Sequence, residues 1–163
     1  MLRPRSSPAS GIAPGPSVPI AGAGRGKRFV LLASQFNRPM TLRLVRGATD
    51  VLRRSGASAS SIRVVWVPGA FELSVAAALA VKRRPRPDAI LALGALIRGD
   101  TPQYEVLAHA VAHGLTQVSV NSGIPVTFGV IVAENVAQAR ARAGGAHGNR
   151  GEEAARAALA MLR

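Results

Sequence analysis

Four apolar runs, each followed by a stretch of helical period, constrain this chain more than any other feature. The runs are "RFVLLASQFN" (28–37), "IRVVWVPGAFE" (62–72), Ala89 to Ile97, and "IPVTFGVIVA" (124–133). Such near-continuous Val/Ile/Leu/Ala runs suit strands buried on both faces rather than half-exposed ones. Between them, residues 39–55 place Met40, Leu42, Leu44, Val45, Ala48, Val51 and Leu52 at helical spacing, and Gly56 closes the pattern. A second helix is expected over 72–84, stopped by Pro85 and Pro87, a long third over 102–121, and two more near 135–143 and 151–162. This alternation predicts right-handed βαβ units. The fold class is therefore α/β: a four-stranded parallel sheet with helices on both faces.

The length of 163 residues is enough for one domain with a real core. Its boundaries are read as a flexible tail over 1–26 and an α/β domain over 27–163. The tail holds five Pro, five Gly and three Arg with no acidic residue, a composition that cannot bury enough surface to order itself. It lacks the apolar core of a secretory signal and loosely resembles an organellar transit peptide. A short piece from Ser17 to Ile20 could still pair with a sheet edge. No apolar run reaches the roughly 18 residues that span a bilayer, so no membrane partner is expected. Cysteine is absent, which removes disulfides, thiolate metal sites and a cysteine nucleophile.

The net charge is +13, and 19 of the 21 basic residues are Arg. Such a surplus attracts nucleic acid, anionic lipid or phosphorylated small molecules, or else lies scattered on a solvated surface. The basic residues form no continuous run with interleaved aromatics, and the chain has only six aromatics. Nucleic acid is thus not the expected main partner.

Ligands of parallel α/β sheets bind beyond the carboxyl ends of the strands. Those ends read Ser34-Gln35-Phe36-Asn37, Pro68-Gly69-Ala70-Phe71-Glu72, Arg98-Gly99-Asp100-Thr101-Pro102-Gln103, and Thr127-Phe128-Gly129 onward. Phe36 and Phe71 offer flat faces for a heterocycle, or else plug the sheet end. Glu72 at a helix start either complements the helix dipole or accepts hydroxyl hydrogen bonds. Thr101 is expected as an N-cap with Pro102 in the first helical position and Glu105 reaching back. The free N–H groups of such an end bind phosphate. Arg98 would add charge there, or pair with Asp100 or a neighbouring subunit. Arg98-Gly99-Asp100 also matches an adhesion tripeptide, but three residues carry almost no specificity. His109 and His113, four apart, lack a third ligand, so no metal is expected. The glycine-rich "RAGGAHGNRG" (142–151) has no Walker spacing.

Together these segments resemble the lumazine synthase family. The resemblance rests on "SQFN" (34–37), "WVPGAFEL" (66–73), "LGALIRGDTPQYEVL" (93–107), "PVTFGVIVAEN" (125–135) and "RAGGAHGNRG" (142–151), in family order from about Arg28 to Leu162. It implies a cytoplasmic enzyme of riboflavin biosynthesis with a three-layer flavodoxin-like subunit. That enzyme condenses 5-amino-6-(D-ribitylamino)uracil with 3,4-dihydroxy-2-butanone 4-phosphate to 6,7-dimethyl-8-ribityllumazine. No cofactor is implied. The subunits would form a pentamer or an icosahedral assembly of pentamers, with riboflavin synthase as a further partner.

Carried onto this chain, the resemblance has Phe36 stack on the pyrimidine, while Ala70, Phe71 and Glu72 hold the ribityl chain. Ala95, Leu96 and Ile97 would contact the pyrimidine through backbone, joined by Phe128 of the adjoining subunit. Asp100 and Thr101 would present N–H groups to the second substrate, and Arg142 would pair with its phosphate. Three departures stand out. Gln103 occupies the position of the family's proton-transferring histidine, and an amide cannot titrate near neutral pH. Ala146, followed by His147, replaces a frequent lysine. The leading tail is richer in Pro and Gly than the family's edge strand. The uninterrupted spacing from Gly144 to Gly151 matches shell-forming relatives. The expected activity is a slow synthase. The alternative is a non-catalytic shell-forming or ligand-binding homologue.

Overall fold

A computed structural model describes residues 20–162. The chain runs β1 (Phe29–Ser34), α1 (Arg38–Arg54), β2 (Ile62–Val67), α2 (Leu73–Ala80), β3 (Ala89–Ile97), α3 (Gln103–Ser122), β4 (Val126–Ala133), α4 (Val136–Ala141), β5 (Ala143–Gly145), β6 (Gly148–Asn149) and α5 (Arg150–Met161). The first four strands form one sheet in the order β2-β1-β3-β4, and every pairing is parallel. β5 and β6 form a small antiparallel hairpin inside the glycine-rich segment, which the sequence pattern had not shown as strands.

Side chains alternate across β3 and feed two cores. Leu91, Leu93 and Ala95 face one layer, where Leu44, Ala48 and Leu52 of α1, Ala139 of α4 and Ala155 and Leu159 of α5 pack on them. Ile90, Ala92 and Leu96 face the other, against Leu73 and Ala77 of α2 and Tyr104, Val111 and Leu115 of α3. β3 is buried on both sides because it is central and sandwiched, which is why it reads as an unbroken apolar run. The three layers are the expected α/β architecture with helices on both faces. Within their layer α1 and α5 pack on each other, tightly enough that Gly151 lies against the backbone of Leu44.

Two elements differ from expectation at their ends. α2 stops at Ala80 rather than near 84. Lys82 N–H donates to Leu79 and Arg83 N–H to Ala80, so the end tightens into turns before the prolines. β4 begins at Val126 and ends at Ala133, so Phe128 sits early in the strand, paired with Ala92, and not at its carboxyl end. The helical run after it extends to Asn135-bounded α4, whose N-cap Asn135 side chain accepts from Gln138 N–H at 2.9 Å.

Most of the expected tail, and with it Ser17 to Pro19 of the proposed edge strand, lies outside the described residues. Residues 20–26 form turns against the body: Ile20 and Ala23 pack on the α1/α5 core, and Gly24 N–H donates to Ser55 at 3.0 Å. Among the described residues, no helix is long and apolar enough to cross a membrane.

Candidate active site

The carboxyl ends of β1, β2 and β3 enclose a cavity of about 360 Å³. Its walls come from Phe36 and Asn37 after β1, Gly69 and Ala70 after β2, and Ala95, Leu96 and Ile97 at the end of β3. Gly99, Thr101, Gln103, Tyr104 and Leu107 close it from the start of α3. In a parallel sheet a crevice opens where the strand order reverses, and here that is between β1 and β3, whose following helices α1 and α3 pack on opposite faces.

Backbone bonds build the floor. After β1 and β2 end, Gln35 N–H still donates to Val67 at 2.8 Å and Phe36 N–H to Pro68 at 3.1 Å. This carries Phe36 out over the cavity, 70% exposed. Asn37 then takes a left-handed conformation (φ 57°) and starts α1, and its Nδ2 donates to the carbonyl of Ala95 at 2.8 Å. Asn is among the few non-glycine residues that accept this conformation readily. Its side chain thereby fixes the β1 loop to β3 inside the site, a role that sequence reading missed.

Phe71 is 58% exposed. Neither Phe36 nor Phe71 plugs the sheet end of this chain, since both rings stand largely in solvent. Glu72 occupies the N-cap of α2 without a side-chain cap bond. Its carboxylate folds over Gly69, where an added Cβ would stand 2.9 Å from Oε2. Neither Phe71 nor Glu72 lines the cavity, but both adjoin Ala70, which does.

The α3 entrance differs from its expected form. Pro102, not Thr101, is the N-cap; no side chain caps the end, and Gln103 opens the helix. Glu105 does not reach back. Its Oε1 accepts from the Tyr104 hydroxyl at 3.0 Å. Thr101 is left free to line the cavity, and Asp100 is exposed beside it, outside the lining. An uncapped helix end with its N–H groups directed at a polar turn remains able to meet an anion.

A three-residue cluster braces that entrance. Arg98 Nη1 donates to Glu134 Oε2 at 2.8 Å, and Tyr104 Oη donates to Glu134 Oε1 at 2.6 Å. Arg98 thus pairs with Glu134 and not with Asp100. The bond from Tyr104, then that from Arg98, holds the Glu134 carboxyl below its ordinary value. The same carboxylate pushes the Tyr104 phenol well above its ordinary value, because ionisation would break the bond and set a phenolate beside Glu134 and Glu105. Among the described residues Tyr104 is the one titratable side chain lining the cavity, and it is held protonated.

The remaining expected residues lie elsewhere. Phe128, 36% exposed on edge strand β4, and exposed Arg142 at the C-cap of α4 do not line this chain's cavity. His109 and His113 are exposed on α3, and among the described residues no group of three or more His, Asp or Glu side chains could hold a metal.

Fold and cavity together define a parallel α/β protein with a heterocycle-sized site at its strand ends. The chain belongs to the 6,7-dimethyl-8-ribityllumazine synthase family, whose model matches residues 26–163. A curated 6,7-dimethyl-8-ribityllumazine synthase of Gemmatimonas aurantiaca is 46% identical over 139 residues, covering 85% of this chain and 84% of that protein. One from Porphyromonas gingivalis is 42% identical over 138 residues, covering 85% of each.

Proposed function

We propose that the chain is a lumazine synthase of riboflavin biosynthesis, condensing 5-amino-6-(D-ribitylamino)uracil with 3,4-dihydroxy-2-butanone 4-phosphate to 6,7-dimethyl-8-ribityllumazine. Family membership supports the activity. The observation that carries the site reading is the cavity itself: an exposed aromatic face, Phe36, opposite the β3 end Ala95-Leu96-Ile97 and beside an uncapped helix start. Phe36 stacks on the pyrimidine, and the β3 backbone holds its polar edge. Ala70, Phe71 and Glu72 receive the ribityl chain, with Glu72 accepting from its hydroxyls. Asp100 and Thr101 offer N–H groups to the butanone phosphate. Arg142 pairs with that phosphate, and Phe128 completes the pyrimidine pocket, each from a neighbouring subunit.

In this reading the amine adds to the ketone and loses water to give an imine, phosphate is eliminated, and the ribitylamino nitrogen closes onto the carbonyl so formed with loss of a second water. The protein's main contribution is to hold amine and ketone together with the leaving phosphate in place. Gln103 orients a water or carbonyl but cannot take a proton. Substrate phosphate or water then carries protons, at a cost of roughly 10²- to 10⁴-fold in rate relative to a positioned acid–base group. The assembly is a pentamer or a shell of pentamers in the cytoplasm, able to hand product to riboflavin synthase. The domain over 27–163 carries this activity, with residues 20–26 packed against it in turns.

Gln103 also favours a second reading, a ligand-binding or shell-forming homologue without turnover. A side-by-side assay of the native protein and Gln103→His, following the lumazine chromophore against a no-enzyme blank, separates them. Native turnover above the blank, rising tenfold or more in the histidine variant, establishes the synthase. Turnover equal to the blank with retained binding of the ribitylaminouracil establishes the second reading.

A further inference from the structure

The surplus of positive charge is not spread evenly. At the amino ends of β1, β2 and β3, opposite the candidate active site, lies a second concavity of about 450 Å³. Arg28, Arg63, Arg83 and Arg84 line it, with Ser60 and Ser61 of the short 3₁₀ turn before β2, and no carboxylate is among its lining residues. The arginines come from three separate segments that only the sheet topology brings together.

Two of them are partly engaged. Arg28 Nε donates to the carbonyl of Arg86 at 2.8 Å and lies 3.8 Å from Asp88 Oδ2, which sets its guanidinium in place. Arg84 Nη1 makes a long bond, 3.3 Å, to the carbonyl of Arg83. Arg63 and Arg83 have no side-chain hydrogen bond or ion pair among the described residues, and both are exposed. Guanidinium groups in one hollow repel one another. An anion relieves that repulsion, and guanidinium forks match phosphate oxygens in geometry as well as charge.

We propose that this concavity is an anion site for a small molecule carrying two or more linked phosphate groups. One phosphate, at about −1.5 to −2, is balanced by about two arginines. Four arginines, one of them beside the Asp88 carboxylate, leave a net of about three positive charges around the hollow, which fits a diphosphate. Ser60, whose hydroxyl shares a 3.1 Å hydrogen bond with that of Ser58, lines the rim. A single-stranded nucleic acid fits less well: such sites pair a long basic track with exposed aromatic faces for the bases, and Phe29, the aromatic residue among the lining, is buried at 1% exposure. The site is independent of the catalytic reading.

Equilibrium titration of the full-length protein with inorganic pyrophosphate tests it. Orthophosphate, a nucleoside diphosphate and a 20-nucleotide single strand serve as comparison probes. The expected result is saturable pyrophosphate binding, one per chain, at least tenfold tighter than orthophosphate. It should weaken at least tenfold in R63A/R83A, and Phe36→Ala should leave it unchanged. Tighter binding of the nucleoside diphosphate assigns the ligand as an ester; equal binding assigns the free diphosphate chemistry. Both substituted arginines are exposed, and an unchanged urea midpoint verifies that the variant is folded. Non-saturable binding, binding that survives in R63A/R83A, or a preference for the oligonucleotide overturns the proposal.

Discussion

Tyr104 is the only tyrosine in the chain, which makes one residue's ionisation directly measurable. Its hydroxyl is bonded to Glu134 at 2.6 Å and to Glu105 at 3.0 Å, with Arg98 on the far oxygen of Glu134. Because its folded value is raised, chiefly by the Glu134 bond, its stabilising contribution is complete below the free phenol's value of about 10 and is lost as pH rises through the raised one. Glu134 works in the opposite sense. Its value is lowered, so its contribution stands above about pH 4.3 and disappears as pH falls through the lowered value. Tyrosinate absorbance should stay flat as pH passes 10 and appear only at higher pH. In Glu134→Gln the transition should move down, since the strongest acceptor of the phenolic proton is gone. Ordinary titration near 10 in the native protein would mean that the cluster does not form. The partners, 98, 104 and 134, are too far apart for sequence periodicity to unite. The β3–β4 register joins them by setting Ile97 beside Ala133. Phe36 and Gln103, which line the cavity, can be picked from the sequence because each lies in the polar turn that ends an apolar run. Asn37 was readable only as part of a turn, since its contact with Ala95 needs β1 and β3 side by side.

At the scale of elements, legibility followed how strongly local chemistry and packing agreed. β3 was bounded to the residue, because Asp88 and Arg98 flank a run that the sheet buries on both faces. α1, expected over 39–55, runs over Arg38–Arg54, its apolar stripe having one clear period. α2 is shorter than its sequence pattern, because Val81-Lys82-Arg83-Arg84 hold no helix breaker and the prolines begin only at 85. Phe128 was misplaced as a strand end because an all-apolar run does not reveal where the sheet begins. The Ala143–Gly145/Gly148–Asn149 hairpin has too few side chains to leave a pattern. That hairpin nevertheless sets up α5: Asn149 Oδ1 accepts from Gly151 N–H at 2.8 Å and Glu152 N–H at 3.3 Å, while its Nδ2 donates to Arg43 of α1 at 3.1 Å. The two helices meet at Gly151, where any Cβ would collide with the Leu44 backbone. Gly151→Ala is therefore expected to destabilise the fold by about 1–3 kcal/mol, the usual cost of overpacking a site that cannot give way. A lowered urea midpoint at constant m-value would check it. An unchanged midpoint would mean that α1 and α5 are not in this close contact.

On the scale of the whole molecule, the open question is whether one chain holds a complete site. Phe128 pairs with Ala92, five residues before the end of β4, or roughly 16 Å from the carboxyl edge at about 3.3 Å per residue. It cannot reach its own chain's cavity, and neither it nor Arg142 lines that cavity. Exposed apolar side chains are concentrated on the outer sides of α2 and α3 and along β4: Val75 at 63%, Leu79 at 60%, Val106 at 66% and Val132 at 42%. Surfaces of that kind are commonly covered by another chain. If neighbouring copies complete the site, Phe36→Ala and Arg142→Ala damage opposite halves of it. Each variant alone should lose most turnover. Assembled together at equal amounts, random mixing gives each shared site both intact halves about one time in four, so about a quarter of native activity should return. A site built within one chain predicts no recovery, because every chain in the mixture carries one of the two lesions. Sedimentation of the same samples shows whether mixed oligomers formed. Recovery in the oligomeric fraction would place Arg142 across an interface from Phe36, whereas mixed oligomers without recovery would return Arg142 to its own chain's chemistry.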